Sequence, residues 1–148
     1  MSEFAEVAMK LPSEEPTFRT RVRYAECSAH GELTLATYIN YFTEAAAQAL
    51  RQIGLDAQAL TARDGLLREA AITVNVQESP AYDDQVQVLV RLDAVGDAAF
   101  SLRLELRRQY RGSLLAEGRI RFVTRLPELA AAAALPPHLT SALERLPQ

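Results

Sequence analysis

Between residues 70 and 124, apolar residues recur at every second position in four successive runs. "AAITVNVQE" sets Ile72, Val74 and Val76 on one face, and "YDDQVQVLVRLDAV" does the same with Val86, Val88, Val90 and Leu92. "AFSLRLELRRQY" places Phe100, Leu102, Leu104 and Leu106 opposite Arg103, Glu105 and Arg107. "LLAEGRIRFVT" alternates Ile120 and Phe122 with Arg119 and Arg121. A period of two marks a strand with one buried face. The breaks "VGDAA" at 95–99 and "RGS" at 111–113 have the composition of hairpin turns. "SPAYDD" connects the first of these runs to the second. Strands joined by short turns pair antiparallel.

Two elements precede them. Residues 17–26 also alternate, with Phe18, Thr20, Val22 and Tyr24 on one face and Arg19, Arg21 and Arg23 on the other. This predicts a half-buried strand. From Thr37 to Ile53 the period changes to that of a helix: Tyr38, Phe42, Ala45, Ala49 and Ile53 form an apolar stripe, widened by Ile39, Ala46 and Leu50. Asn40, Glu44, Gln48 and Arg51 take the opposite face, and Gly54 is placed to stop the helix. "LDAQALTARDG" reads as a short helix or loop, and "LPPHLTSALERL" as a helix opened by proline. The order is strand, long helix, four strands. One helix stripe needs one sheet face, so the chain is expected to form an α+β domain with an antiparallel five-stranded sheet curled round one long central helix. A single helix covers five strands thinly, so at least a dimer is expected, formed along a sheet edge.

Composition narrows the function classes. A chain of 148 residues, about half of them apolar, is long enough for one domain with a real core. The expected division is a loose arm over 1–16, the domain over 17–126, and a helical tail over 127–148. A net charge of -3 argues against a general nucleic-acid binder. The lone Cys27 cannot form an internal disulfide, which suits a reducing cytosol. No apolar run approaches the roughly 20 residues of a membrane helix. The acidic, proline-broken start "MSEFAEVAMKLPSEEP" lacks the plan of a signal peptide. Cytoplasmic localisation, with no membrane or nucleic-acid partner, is therefore the expectation. Two histidines and one cysteine do not furnish a typical zinc site, and no glycine-rich phosphate loop occurs, so no metal or cofactor is expected.

Between the first strand and the helix lies "RYAECSAHGELTLATY", Arg23 to Tyr38, which crowds Glu26, Cys27, Ser28, His30 and Gly31 together. This stretch, with the element order, resembles the hotdog fold and within it the 4-hydroxybenzoyl-CoA thioesterase-like family. Members often carry Tyr-x-Asp-x-Asp-x-x-Gly at the end of the first strand and a Tyr near the helix start. Here "YAECSAHG" ends at Gly31, Tyr38 falls at the matching distance, and "SPAYDDQVQVLVRL" looks like the family's strand entry. The similarity covers roughly residues 17–126.

The resemblance implies an acyl-thioester hydrolase, acting on acyl-CoA or on the phosphopantetheine arm of an acyl carrier protein, without a cofactor. The family's catalytic carboxylate is the second acid of the motif, and a helix-start amide, here near Leu35, polarises the carbonyl. In this chain Glu26 falls on the first acid and Ser28 on the second. A serine hydroxyl is a poor base without a partner. The basic residues that related CoA enzymes often carry at the "VGDAA" turn are absent, which favours a carrier protein. Ser28 either orients a water or a carbonyl, or satisfies turn amides. His30 has a pKa suited to proton transfer, or is a surface residue. Glu44, on the helix, either replaces the missing base, as a helix acid does in a second branch of hotdog thioesterases, or is simply solvated. The catalytic candidates are thus Ser28, Glu44 and His30. The substrate-binding candidates are Glu26, Gly31, Leu35, Tyr38 and Asn40. A second reading is a non-catalytic acyl or aromatic thioester binder that has lost the acid. The arginine rows on the strands read as solvated outer faces, or as a docking surface for an acidic carrier or phosphates.

Overall fold

A computed structural model describes residues 17–55, 66–109, 112–125, 134–135 and 137–148. The arm over 1–16 and most of the 55–65 loop lie outside these. The elements are β1 (Phe18–Arg21), a 3-10 turn (Tyr24–Glu26), α1 (Leu35–Gln52), β2 (Leu66–Val76), β3 (Gln85–Val95), β4 (Ala99–Arg108), β5 (Leu114–Arg125) and α2 (Pro137–Leu143). The five strands form one sheet in the order β1-β3-β4-β5-β2, and every neighbouring pair is antiparallel. The α+β layout expected from the periodicity is the one observed.

The alternation sets the core. Val86, Val88 and Val90 of β3, Leu102, Leu104 and Leu106 of β4, and Ile120 and Phe122 of β5 are buried toward α1. The α1 stripe contributes Tyr38, Tyr41, Phe42, Ala45, Ala46, Ala49 and Leu50 to the same core. Burying a Leu, Val or Phe side chain is worth about 1.5–3 kcal/mol, so this interface dominates folding. Helix and sheet approach closely at Gly118, where an added Cβ would lie 2.5 Å from the Phe42 ring. The Phe100 and Phe122 rings stack with centroids 4.9 Å apart.

Three expectations are corrected. The first strand is shorter than residues 17–26: it ends at Arg21. Beyond it, the Val22 N–H donates to the Asp84 carbonyl and the Asp83 N–H to the Val22 carbonyl, and the chain then bends into the 3-10 turn, closed by the Glu26 N–H on the Arg23 carbonyl (3.0 Å). Asp83 adopts φ 72°, a left-handed conformation uncommon outside glycine. Tyr24 consequently leaves the core face and is 80% exposed. The helix begins at Leu35 rather than Thr37, because Thr34 caps it by accepting from the Thr37 N–H. The second long strand begins at Leu66, earlier than residue 70, with an irregularity between Glu69 and Ala71.

The tail packs on the same core. Leu139, Ala142, Leu143 and Leu146 are buried. The Arg145 guanidinium donates to the Ile53 carbonyl at the end of α1 (2.6 Å). The Leu92 N–H donates to the Pro147 carbonyl, on the stretch of β3 that the short β1 leaves unpaired. Among the described residues no helix is long and apolar enough to cross a membrane.

Candidate active site

The segment from Glu26 to Thr34 closes on itself. The Thr34 N–H donates to the Glu26 carbonyl (3.1 Å), Cys27 and Leu33 form an isolated bridge, and the Ser28 N–H donates to the Glu32 carbonyl (2.6 Å). The Gly31 N–H returns to the Ser28 carbonyl (2.9 Å), which needs the left-handed φ of 81° that Gly31 adopts. This small loop delivers the chain into α1. The cap leaves the amides of Leu35 and Ala36 without an intrahelical acceptor, as at any helix start. Both residues are exposed, so these donors and the positive end of the helix dipole face outward beside the loop.

Ser28 is half-buried, and its hydroxyl accepts the His30 N–H at 3.2 Å. It thus serves the turn and lies in the loop that leads to the helix start. His30 is exposed, with its backbone rather than its ring tied to Ser28. Asn40 and Glu44 are exposed on the outer face of α1. Glu44 is nine residues past Leu35, about 14 Å along the helix axis. One chain therefore gathers Ser28, His30, Gly31 and Leu35 in the loop at the start of α1 but does not bring Glu44 to them.

Glu26 is fully engaged. Its carboxylate accepts from the Arg23 N–H (2.9 Å), the Tyr41 hydroxyl (2.8 Å) and the Arg23 guanidinium (3.2 Å). Burial pulls its pKa up, but these donors outweigh it and hold the carboxyl below the usual range. Tyr41 is shifted the other way: burial and its bond to the Glu26 carboxylate push its hydroxyl far above the ordinary tyrosine value. Glu26 is thus a fixed anion that clamps the 3-10 turn to α1.

Tyr38 is buried, and burial pushes its hydroxyl above the tyrosine range. Its hydroxyl makes no aligned hydrogen bond to the described residues, although Ser79 stands beside it. The Ser79 hydroxyl is already committed: it accepts the Leu33 N–H (2.9 Å) and donates to the Pro80 carbonyl (3.0 Å). Ser79 thereby pins the loop before β3 to the entry of α1.

The sequence reading had no part for Tyr41 or Ser79. Tyr41 was recoverable, because it sits three residues after Tyr38 and four before Ala45, on the same helical face. Ser79 carried no such signal; its partner Leu33 is 46 residues away.

The chain was compared with known proteins. No curated protein matches it. Solved structures do. A 1,4-dihydroxy-2-naphthoyl-CoA thioesterase from Synechocystis superposes with a TM-score of 0.79 at 17% identity, over 88% of this chain and 96% of that one. A hypothetical protein from Thermus thermophilus gives 0.78 at 27% identity, over 89% and 99%. The dynemicin thioesterase, studied in polyene binding, gives 0.75 at 21% identity, over 86% and 94%. The family model of the thioesterase-like superfamily matches residues 22–143, which takes in the closing loop, α1, all four long strands and α2. With a hotdog sheet wound round α1 and that match over most of its length, the chain belongs to the thioesterase-like superfamily.

Proposed function

We propose that the protein hydrolyses acyl thioesters carried by CoA or by the phosphopantetheine of a carrier protein. The observation that carries this reading is the pair of open amides at Leu35 and Ala36, exposed beside the Ser28 loop in a superfamily of thioesterases. Water adds to the thioester carbonyl carbon, and the developing oxyanion is held by these amides. The tetrahedral intermediate then expels the thiolate, which takes up the proton lost by the water. Ser28 orients the water, and His30 and Gly31 shape the loop around it. Tyr38 and Asn40 border the acyl group, and Glu26 keeps the mouth in place.

Glu44 is too far along its own helix to serve the same mouth, so in this reading it serves the mouth of a second copy. β2 is an edge strand whose Ile72 and Val74 are only half-buried and whose Val76 is exposed. A second copy paired along that edge covers them. Purified protein assayed on a panel of acyl-CoA and acyl-carrier thioesters tests the proposal. Turnover no greater than that of a Ser28→Ala, Glu44→Ala double variant would sink it.

A second reading is supported by Ser28 itself. It stands where a carboxylate would act and spends its hydroxyl on the His30 amide. A protein so built binds thioesters and cuts them poorly. Thermal stabilisation by a thioester that remains intact over hours is the outcome that selects this reading.

A further inference from the structure

The outer face of the sheet carries three arginines in register. Arg91 of β3 stands directly opposite Arg103 of β4, and Arg103 directly opposite Arg119 of β5. Their strand neighbours Val90, Leu104 and Ile120 are buried toward α1, so the three side chains point away from the core. Arg103 and Arg119 are exposed, and Arg91 is half-buried. Adjacent strands lie about 4.8 Å apart, so the row spans about 10 Å. It crosses the three inner strands, on the face opposite α1. Like charges directly opposite one another destabilise a sheet. The neighbouring carboxylates relieve this only in part. Glu105 is shared between Arg103 (3.3 Å) and Arg107 (2.6 Å), and Asp93 pairs with Arg119 (3.0 Å). Among the described residues Arg91 makes no ion pair.

We infer that this row docks a partner protein through a helix that bears a line of carboxylates. Helix residues at i, i+4 and i+7 lie on one line, and seven residues rise about 10.5 Å. Three acids so spaced match the span of the three arginines, and a guanidinium fork takes a carboxylate bidentately. The row is one residue wide. Glu105 and Glu117, themselves in register, border it on one side, and Asp93 borders it on the other. A nucleic-acid backbone would lie across those acids, whereas a narrow line of carboxylates avoids them. A second copy does not supply the line from α1, whose outer face carries Glu44 among Asn40, Gln48 and Arg51. The inference does not depend on thioester hydrolysis.

The experiment titrates two synthetic alanine-based helical peptides into the full chain by calorimetry at low salt. One carries glutamates at i, i+4 and i+7 in a single line. The other has the same composition with its glutamates on different faces. Saturable binding of the lined peptide is expected, at least about fivefold tighter than that of the scattered one. Arg91→Gln breaks no ion pair, so the fold should hold, and binding should weaken about threefold. The Arg91→Gln, Arg103→Gln double variant should weaken it about tenfold. Arg19→Gln, on the outer face but off the row, should leave binding unchanged. Arg103→Glu should abolish binding and leave the oligomeric mass, read by light scattering, as in the parent. The inference is overturned if the two peptides bind alike, or if Arg19→Gln weakens binding as much as Arg91→Gln. A short DNA duplex that binds more tightly than the lined peptide overturns it. So does a change of mass in Arg103→Glu, which would make the row a contact between copies.

Discussion

The Tyr41 hydroxyl donates to the Glu26 carboxylate at 2.8 Å, joining α1 to the turn that ends the first strand. Tyr41→Phe removes the donor and leaves the carboxylate with Arg23 alone. A hydrogen bond to a charged group is worth about 1.5–3 kcal/mol, and partial exposure of Glu26 places the loss near the lower end. Chemical denaturation should show the variant destabilised by about 1–2 kcal/mol, with an unchanged m-value.

Acid should weaken the fold in a defined window. Glu105 is only 6% exposed although it points to the outer sheet face, because Arg103 and Arg107 fold over it. Burial raises its pKa, and the hydrogen bonds and charges of Arg107 and Arg103, with the charge of Arg91, more than reverse that. Glu26 is lowered as well. A carboxyl whose folded pKa is depressed binds fewer protons than in the unfolded chain. Its stabilisation is complete above the unfolded value, about 4.3, and is lost as pH falls through the lower folded value. The Tm should therefore hold above about pH 5 and fall progressively below about pH 4. Glu105→Gln should lower stability at neutral pH by about 1–2 kcal/mol, a value reduced for the exposure of its arginine partners. The same variant should flatten the acid limb of the Tm profile.

Gly118 is where the sheet admits the helix. A Cβ there would meet the Phe42 ring at 2.5 Å and the Thr73 carbonyl at 2.9 Å. Phe42 is fully buried, and the carbonyl belongs to the β2 backbone, so neither yields easily. Overpacking of this kind costs about 1–3 kcal/mol. Gly118→Ala should melt several degrees below the parent. A Tm equal to the parent's would show that helix and sheet can separate at this point.

Ser28→Asp restores a carboxylate at the position the family motif assigns to it. A positioned general base contributes about 10²–10⁴-fold. If the parent is a slow hydrolase or a binder, the variant should gain at least tenfold in kcat on its best thioester, with KM nearly unchanged. If the parent already draws its base from Glu44 of a second copy, the gain should be small. Mixing Ser28→Ala with Glu44→Ala protein should then recover part of the lost activity in the mixed dimers.

The overall layout was legible in the residues because it rests on local periods. Alternation in Val86–Val90 or Leu102–Leu106 reports a buried face whichever strand lies alongside, and the α1 stripe reports one covered side. Those signals predict one helix against one antiparallel sheet, and the structure has both; β3, β4 and β5 are joined as hairpins, whereas β2 lies at the far edge and pairs with β5 instead of β3. Element ends were less legible. The first strand carries its alternation past Arg21, yet the chain enters a 3-10 turn at Tyr24–Glu26, held to α1 by the Tyr41 hydroxyl fifteen residues on from Glu26. The polar cluster at Ser28 was visible as a cluster, and the tertiary structure shows which hydrogen bonds its members make.

The sequence by itself determined the order of elements, the face each one buries, and the serine in place of the family's carboxylate, since each is a property of adjacent residues. Only the tertiary structure decided that Glu26 is an anion locked by Tyr41, that Ser79 holds the helix entry, and that Glu44 is exposed more than two turns along α1 from the Ser28 loop. The physical reason is distance along the chain. Hydrogen bonds, desolvation and charge pairing depend on which segments the sheet register and the helix docking bring within a few ångströms, and no local period encodes that.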